Sequence, residues 1–296
     1  MEGMPQINDE KCTLCGKCVK VCPKKVLFIS DKKLHYTDQE CMLCAHCFGV
    51  CPENAISFYP NDLKIPQIQS FTYKEKYIDS SHIDSSEFLN TLRSRRSIRK
   101  YKKDSLPEEV IEDLIQCAVT APSGSNCQDW EFTVMNDHEK VWNLALKIKD
   151  SVKKFNAFVK NPFFRYASTL FLGNTLLKYH EHLESIEWAI EEAEKGNDLL
   201  FHSAPTLIIF HSHMEGSTPL EDAQYASYNC ALMAHALGLG TCYIGYAVEI
   251  LNRMKDIKKF CQIPQNHRVH SVLIAGYPDV TFSHLTLRKN YKINFI

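Results

Sequence analysis

Residues 12–23 read CTLCGKCVKVCP, and residues 41–52 repeat the array as CMLCAHCFGVCP. Both follow the spacing C-x2-C-x2-C-x3-C-P. Thiolates at this density bind soft or borderline metals, so iron–sulfur and zinc are the two chemistries on offer. Zinc takes four ligands per site and gives no reason for a third cysteine two residues on, twice, each array closed by proline. The offset of 29 residues between Cys12 and Cys41 marks an internal repeat. After each proline comes a short strand-like stretch, KVLFIS and NAISFY, as the two halves of a small pseudosymmetric domain require. So small a domain has little core, and bound metal must supply much of its stability.

This spacing resembles the bacterial two-cluster ferredoxin pattern, and the resemblance covers residues 5–59. It implies that Cys12, Cys15, Cys18 and Cys51 hold one [4Fe–4S] cluster and that Cys41, Cys44, Cys47 and Cys22 hold the other. In each array the cysteine before proline crosses to the other cluster, and Pro23 and Pro52 turn the chain behind it. Two such centres make a short wire for single electrons.

The whole chain bounds the reading further. Its 296 residues and 34.0 kDa suit two unequal domains. Charge is balanced, 34 Lys+Arg against 35 Asp+Glu, which removes the whole-chain argument for a nucleic-acid partner. No apolar run has the length of a membrane span and the start, MEGMPQINDEKC, is no signal peptide, so no membrane partner is expected. Thirteen cysteines then point to a reducing, cytoplasmic setting and to metal or redox work.

A second chemistry begins beyond Tyr59. In RSRRSIRKY, residues 93–101, Arg95, Ser97 and Arg99 alternate with Arg96 between them. Guanidinium forks match phosphate oxygens bidentately, and a hydroxyl adds a neutral donor. Taken alone, the segment reads equally well as a solvated basic patch or a nucleic-acid contact. APSGSNCQDWEF, residues 121–132, places Pro122, Ser123, Ser125, Asn126 and Gln128 where a helix ends and a strand begins, within reach of a ligand or in an ordinary polar turn. HALGLGTCYIGY, residues 235–246, has Gly240 and Gly245, which let backbone approach a flat ring closely.

Together, in this order, the three stretches resemble the flavin-dependent nitroreductase family across about residues 86–296, with Asp129 where that family has proline. The resemblance implies FMN held at its phosphate, ribityl and pyrimidine edge by the Arg95–Arg99 segment. It places Tyr243, Ile244 and Gly245 near the reactive flavin nitrogen and makes Arg288 in LTLRKNY a further phosphate ligand. No strand–GxGxxG–helix unit occurs, so NAD(P)H would meet the flavin only as a transient donor. The resemblance also implies a homodimer, a small-molecule acceptor and flavin-centred chemistry without a dedicated side-chain acid or base.

The elements that must position these residues follow from the pattern. Residues 60–86 carry two prolines and several serines without sustained period, which reads as a linker at 60–85 between a ferredoxin domain (1–59) and an FMN domain (86–296). Ser86 is placed to cap a helix with Phe88, Leu89 and Leu92 on one side. Ser105 and Glu108 form a capping box for a helix with Pro107 in its first turn, and its buried face is Val110, Ile111, Leu114, Ile115 and Ala118. WEFTVM, TLIIF, TCYIGY and VHSVLIAGY are strand candidates, and Leu220–Leu237 is an alanine-rich packed helix. The expected class is α+β, a small ferredoxin-like domain followed by a three-layer α/β/α domain.

The expected function is an oxidoreductase passing electrons through two clusters to FMN and on to a nitroaromatic, quinone or similar acceptor. Reductive dehalogenation, reduction of an activated double bond, and electron carriage to a redox-protein partner stay open as alternatives, and so does a redox protein as donor. Cys117, Cys127, Cys230, Cys242 and Cys261 read as small core residues. His211 and His213 in HSHMEGS form a metal-capable pair, but a strand end facing water is the plainer reading.

Overall fold

The computed structural model describes residues 4–58, 63, 65–160 and 183–296. Pro60, Asn61, Asp62 and Lys64 of the expected linker lie outside the described residues. The chain divides into two compact units, residues 1–67 with 122–128, and residues 68–121 with 129–296.

In the first unit, β1 (Pro5–Ile7) pairs antiparallel with β4 (Ile56–Phe58), and β2 (Leu27–Ser30) with β3 (Lys33–Tyr36). Each ribbon therefore joins one strand from each half of the repeat. The short helices α1 (Lys17–Val21) and α2 (His46–Gly49) occupy matching places. The repeat extends to the backbone: Leu14 and Leu43, Gly16 and Ala45, and Lys25 and Asn54 all take positive φ at equivalent positions. Gly16 does so freely at 72°, whereas Ala45 at 55° carries a Cβ in the left-handed region. Replacing Ala45 with glycine is accordingly expected to stabilise the cluster-loaded protein by about 0.5–1 kcal/mol, strain relief outweighing the entropy gained by the unfolded chain. Anaerobic denaturant titration followed by cluster absorbance measures this, and a lower midpoint would contradict it.

In the second unit, α3 (Ser85–Ser94) and α4 (Glu108–Ala118) precede β5 (Glu131–Asn136), α5 (His138–Lys160), α6 (Leu183–Glu194) and β6 (Thr206–His213). Then come α7 (Pro219–Ala236), β7 (Gly240–Tyr243), α8 (Gly245–Arg253), α9 (Lys255–Phe260) and β8 (His267–Gly276). The strands form one antiparallel sheet of order β5-β6-β8-β7. Alternation along β6 sorts the core into two layers. Leu207 and Ile209 pack with Val141, Leu144 and Ile148 of α5, Leu251 of α8 and Ile257 of α9. Ile208 and Phe210 face the other way, onto Ile111, Leu114 and Ala118 of α4 and the alanines of α7. The buried Ala223, Ala226, Ala231 and Ala234 let α7 lie close to its neighbours, as their spacing predicts. Helices thus cover both faces of the sheet, the expected three layers.

Both predicted caps differ from those observed. The α3 cap is Asp84, whose Oδ1 accepts from the amides of Ser86 at 2.8 Å and Glu87 at 2.9 Å. A carboxylate two residues upstream outcompetes the Ser86 hydroxyl at a helix start. No side chain caps α4, because the Asn136 amide holds the backbone ahead of it, donating to Leu106 O at 2.7 Å and accepting from Leu106 N at 3.2 Å. The apolar side of α3 is also uncovered within the chain, with Phe88 55% and Leu89 48% exposed. Gln69 and Ser70, expected in the linker, belong to the second unit because their amides donate to the buried Asp113 carboxylate at 2.8 and 2.6 Å. Burial alone would raise the Asp113 pKa, but the donors from Ser70 and Gln69 prevail and hold it below the usual carboxylate value.

Candidate functional site

The eight array cysteines line two cavities in the first unit. Cys12, Cys15, Cys18 and Cys51 open on one, and Cys22, Cys41, Cys44 and Cys47 on the other. These are the two sets that the ferredoxin pattern implies. The crossing cysteines are held alike: Cys22 Sγ accepts from Val26 N and Cys51 Sγ from Ala55 N, both at 3.2 Å. Burial, then the neighbouring thiols Cys41 and Cys44, push the Cys47 thiol up to about 11, and Cys18 moves the same way. Crowded sulfurs whose ionisation is suppressed in the bare protein are matched by a cation that stabilises thiolates. Among the described residues, the one grouping of His, Cys, Asp or Glu tight enough for a single ion contains no cysteine.

The segment Pro122–Gln128 belongs to this same unit. Asn126 Nδ2 donates to Leu43 O at 3.1 Å and Met42 O at 3.3 Å, inside the second cysteine loop. Ser125, Asn126 and Gln128 all have positive φ, and Ser123 Oγ accepts from Gln128 N at 3.1 Å. Three non-glycine residues in the left-handed region within four positions store backbone strain, a feature concentrated at ligand-binding turns.

In the second unit, the Arg95–Arg99 segment lies along the outer edge of β7. Ser97 bridges to Thr241, and Ile98 N donates to Thr241 O at 2.9 Å. A Cβ on Gly240 would come within 2.8 Å of Ile98, so the close approach Gly240 permits is to this segment and not to a flat ring. Nothing lies within 4 Å of the Cβ position of Gly245, which opens α8 directly after Tyr243 and Ile244. The sheet edge therefore brings the Arg95–Arg99 and Tyr243–Gly245 stretches together. Arg95 Nε is buried without a hydrogen-bond partner, the orphaned donor that an anionic ligand would satisfy. Arg96 Nε is buried without a partner as well, but the rest of its guanidinium is engaged, donating to His284 O and lying 4.6 Å from the centre of the Phe282 ring. Thr286 Oγ1 donates to Arg93 O at 2.8 Å, which fixes the tail two residues before the exposed Arg288.

Sequence reasoning passed over Ser94 and His235, which share a 2.8 Å hydrogen bond beside this segment. Burial and the Arg95 charge lower the His235 pKa, so the ring is neutral at pH 7. It also misjudged His211. That residue is 2% exposed, and partners it could not foresee surround it: His211 Nδ1 lies 3.0 Å from His267 Nδ1. Burial, then His267, Lys258 and His270, push the His211 pKa down to about 4. Of the cysteines outside the arrays, Cys230, Cys242 and Cys261 are core residues, while Cys117 and Cys127 are half-buried.

Comparison with known proteins finds two corresponding parts, except that the nitroreductase match also takes in the Pro122–Gln128 turn. The profile described as the Nitroreductase family matches residues 92–277, and that of the 4Fe-4S dicluster domain matches residues 11–55. The chain therefore belongs to the nitroreductase family and carries a 4Fe-4S dicluster domain at its N-terminal side. It is an oxidoreductase of that family. Similar proteins include an iodotyrosine deiodinase from Haliscomenobacter hydrossis, 34% identical over 66% of this chain and 80% of the relative. A Methanothermobacter thermautotrophicus protein, provisionally named an NADH dehydrogenase/NAD(P)H nitroreductase, is 27% identical over 67% of this chain and 82% of its own. The crystal structure of a Bacteroides fragilis nitroreductase with bound FMN shares the fold at TM-score 0.51 and 22% identity, covering 71% of this chain and 98% of that one. Among the described residues no helix is long and apolar enough to cross a membrane.

Proposed function

We propose that the protein is an FMN-dependent reductase in which two [4Fe–4S] clusters deliver single electrons to the flavin for reduction of a small organic acceptor. The observation that carries this reading is the Asn126 amide on the Met42 and Leu43 carbonyls. The turn that the family resemblance gives to FMN is fastened to the loop between two cluster cysteines, Cys41 and Cys44. When bound, FMN supplies the exchange between one-electron and two-electron traffic that iron–sulfur clusters alone do not provide.

The chain's own residues hold and shield the cofactors. Cys12, Cys15, Cys18 and Cys51 take one cluster and Cys22, Cys41, Cys44 and Cys47 the other, with amide-to-sulfur hydrogen bonds tuning them. Arg95, Ser97 and Arg99 hold the FMN phosphate and ribityl side, and Arg288 adds a phosphate contact. The family resemblance also assigns the turn of Pro122, Ser123, Ser125, Asn126 and Gln128 to the cofactor. The open face at Gly245 leaves room for the ring beside the Tyr243 and Ile244 backbone. Partial burial pushes the Tyr243 phenol up to about 12, so it stays protonated at neutral pH. NAD(P)H serves as an alternative donor directly to the flavin. A homodimer accounts for the exposed Phe88 and Leu89 of α3 and for Leu287, Tyr291 and Phe295 of the tail.

The deiodinase relatives favour one second reading, reductive removal of halogen from an aromatic acceptor. An anaerobic panel of nitroaromatics, quinones and halogenated phenols separates the two readings. Steady turnover with nitroaromatics or quinones supports the first, and halide release supports the second. Flavin reduction with turnover of no small acceptor would instead leave an electron carrier. Anaerobically purified protein is further expected to contain about eight iron and about eight acid-labile sulfide per chain. Zinc in place of iron, without brown absorption, would overturn the cluster assignment.

A further inference from the structure

At one end of the sheet, on the face that packs against α5, α8 and α9, strand pairing gathers side chains far apart in sequence. Glu131 of β5 stands opposite His211 of β6, and His213 of β6 stands opposite His267 of β8. From these contacts we propose that Glu131, His211 and His267 form a binding site for a divalent ion of the zinc class, separate from the iron–sulfur and flavin machinery.

The ligand atoms of the three residues all lie within 4.8 Å of one another. The Nδ1 atoms of His211 and His267 are 3.0 Å apart, while Glu131 Oε1 lies 3.7 Å from the other ring nitrogen of His267, Nε2, so the carboxylate must turn toward the Nδ1 pair to complete the site. Two imidazole nitrogens on one tetrahedral zinc, each at about 2.0–2.1 Å, would be roughly 3.3 Å apart. A small opening of the pair therefore admits the ion. The far side of the His211 ring is already fixed, since Nε2 lies 3.0 Å from Thr133 Oγ1. The hydroxyl can accept from Nε2–H, the tautomer in which Nδ1 is free to ligate. Two imidazoles and a carboxylate are a borderline donor set, matched to zinc before magnesium or calcium. The Glu131 carboxylate is 60% exposed and can swing inward, giving the ion a path from solvent and a water in the fourth position.

Lys258 opposes a cation here, since its charge reaches His211. Its ammonium is bound to the carbonyls of Gln265 and His267, which moderates that charge and leaves the site weaker than a four-ligand structural one. A dissociation constant on the order of 1–10 μM is expected. The bound ion would join β5, β6 and β8 at their ends.

The test is equilibrium dialysis of the anaerobic, cluster- and flavin-loaded protein against zinc, with zinc and iron counted by mass spectrometry and the zinc environment read by X-ray absorption. The expected result is about one zinc per chain with iron unchanged, and a first shell of nitrogen and oxygen with imidazole scattering. His267→Gln should weaken binding at least ~30-fold and Glu131→Gln about 5- to 10-fold, consistent with lost ligands. Glu131 is exposed, so its variant tests the site without disturbing the core. Sulfur in the first shell, zinc uptake matched by iron loss, affinity unchanged in both variants, or no uptake at 100 μM zinc (about ten times the upper estimate) would each overturn the proposal.

Discussion

Replacing Arg95 or Arg99 with alanine is expected to weaken FMN binding by about 1.5–3 kcal/mol each, roughly 10- to 150-fold in Kd. The magnitude is that of one charge-assisted hydrogen bond removed from the phosphate. Arg95 Nε is buried and has no hydrogen-bond partner among the described residues, so a bound anion would compensate its desolvation. Among the described residues the Arg99 guanidinium donates to the Ser97 carbonyl alone, at a long 3.5 Å. Among the described residues no ion pair takes either guanidinium. Arg96→Ala should behave differently, loosening the tail at His284 and Phe282 with a smaller effect on the flavin. Titration of flavin-free protein with FMN, followed by quenching of flavin fluorescence, gives the constants. Unchanged affinity in the Arg95→Ala, Arg99→Ala double variant would assign these residues to another task.

Much of this arrangement is visible in the sequence, because the features concerned are local or repeated. The cysteine spacing and its second copy define the two cavities without any knowledge of strand pairing. Period-two and helical patterns locate β5, β6, β8 and α7, whose cores are dense enough for burial to dominate local preference. What stays hidden depends on competition or on long-range register. Ser86 loses its cap to Asp84 because a nearby carboxylate binds the same amides. Ser105 and Glu108 look like a capping box until Asn136, thirty residues away, claims the Leu106 backbone. Pro122–Gln128 reads as a turn in the flavin half, yet Asn126 is held by the cysteine loop, a contact 83 residues distant in sequence. His211 looks solvent-facing because the residues that bury it, His267 and Glu131, arrive on neighbouring strands.

Conversion of Cys15 and Cys44 together to serine should carry the largest effect of all. Each is the second cysteine of its array, so the pair disables one ligand at each cavity. A hydroxyl is a poor substitute for a thiolate on iron, and both clusters should be lost or shifted out of working potential. Flavin binding should survive through Arg95, Arg99 and Gly245 on the sheet edge of the second unit, at reduced affinity where the Asn126 turn loses its hold on the Cys41–Cys44 loop. Reduction by NAD(P)H, which needs no cluster, should survive with it.

Anaerobic stopped-flow of flavin bleaching, with a low-potential one-electron donor and with NADPH, puts the wire itself to the test. The account predicts rapid bleaching of the wild type by the one-electron donor and at least a ~100-fold slower rate in the double variant, a loss of roughly 2.7 kcal/mol in barrier terms. Any rate with NADPH should be the same in both proteins. Equal bleaching by the one-electron donor in wild type and variant would mean that the clusters do not feed this flavin.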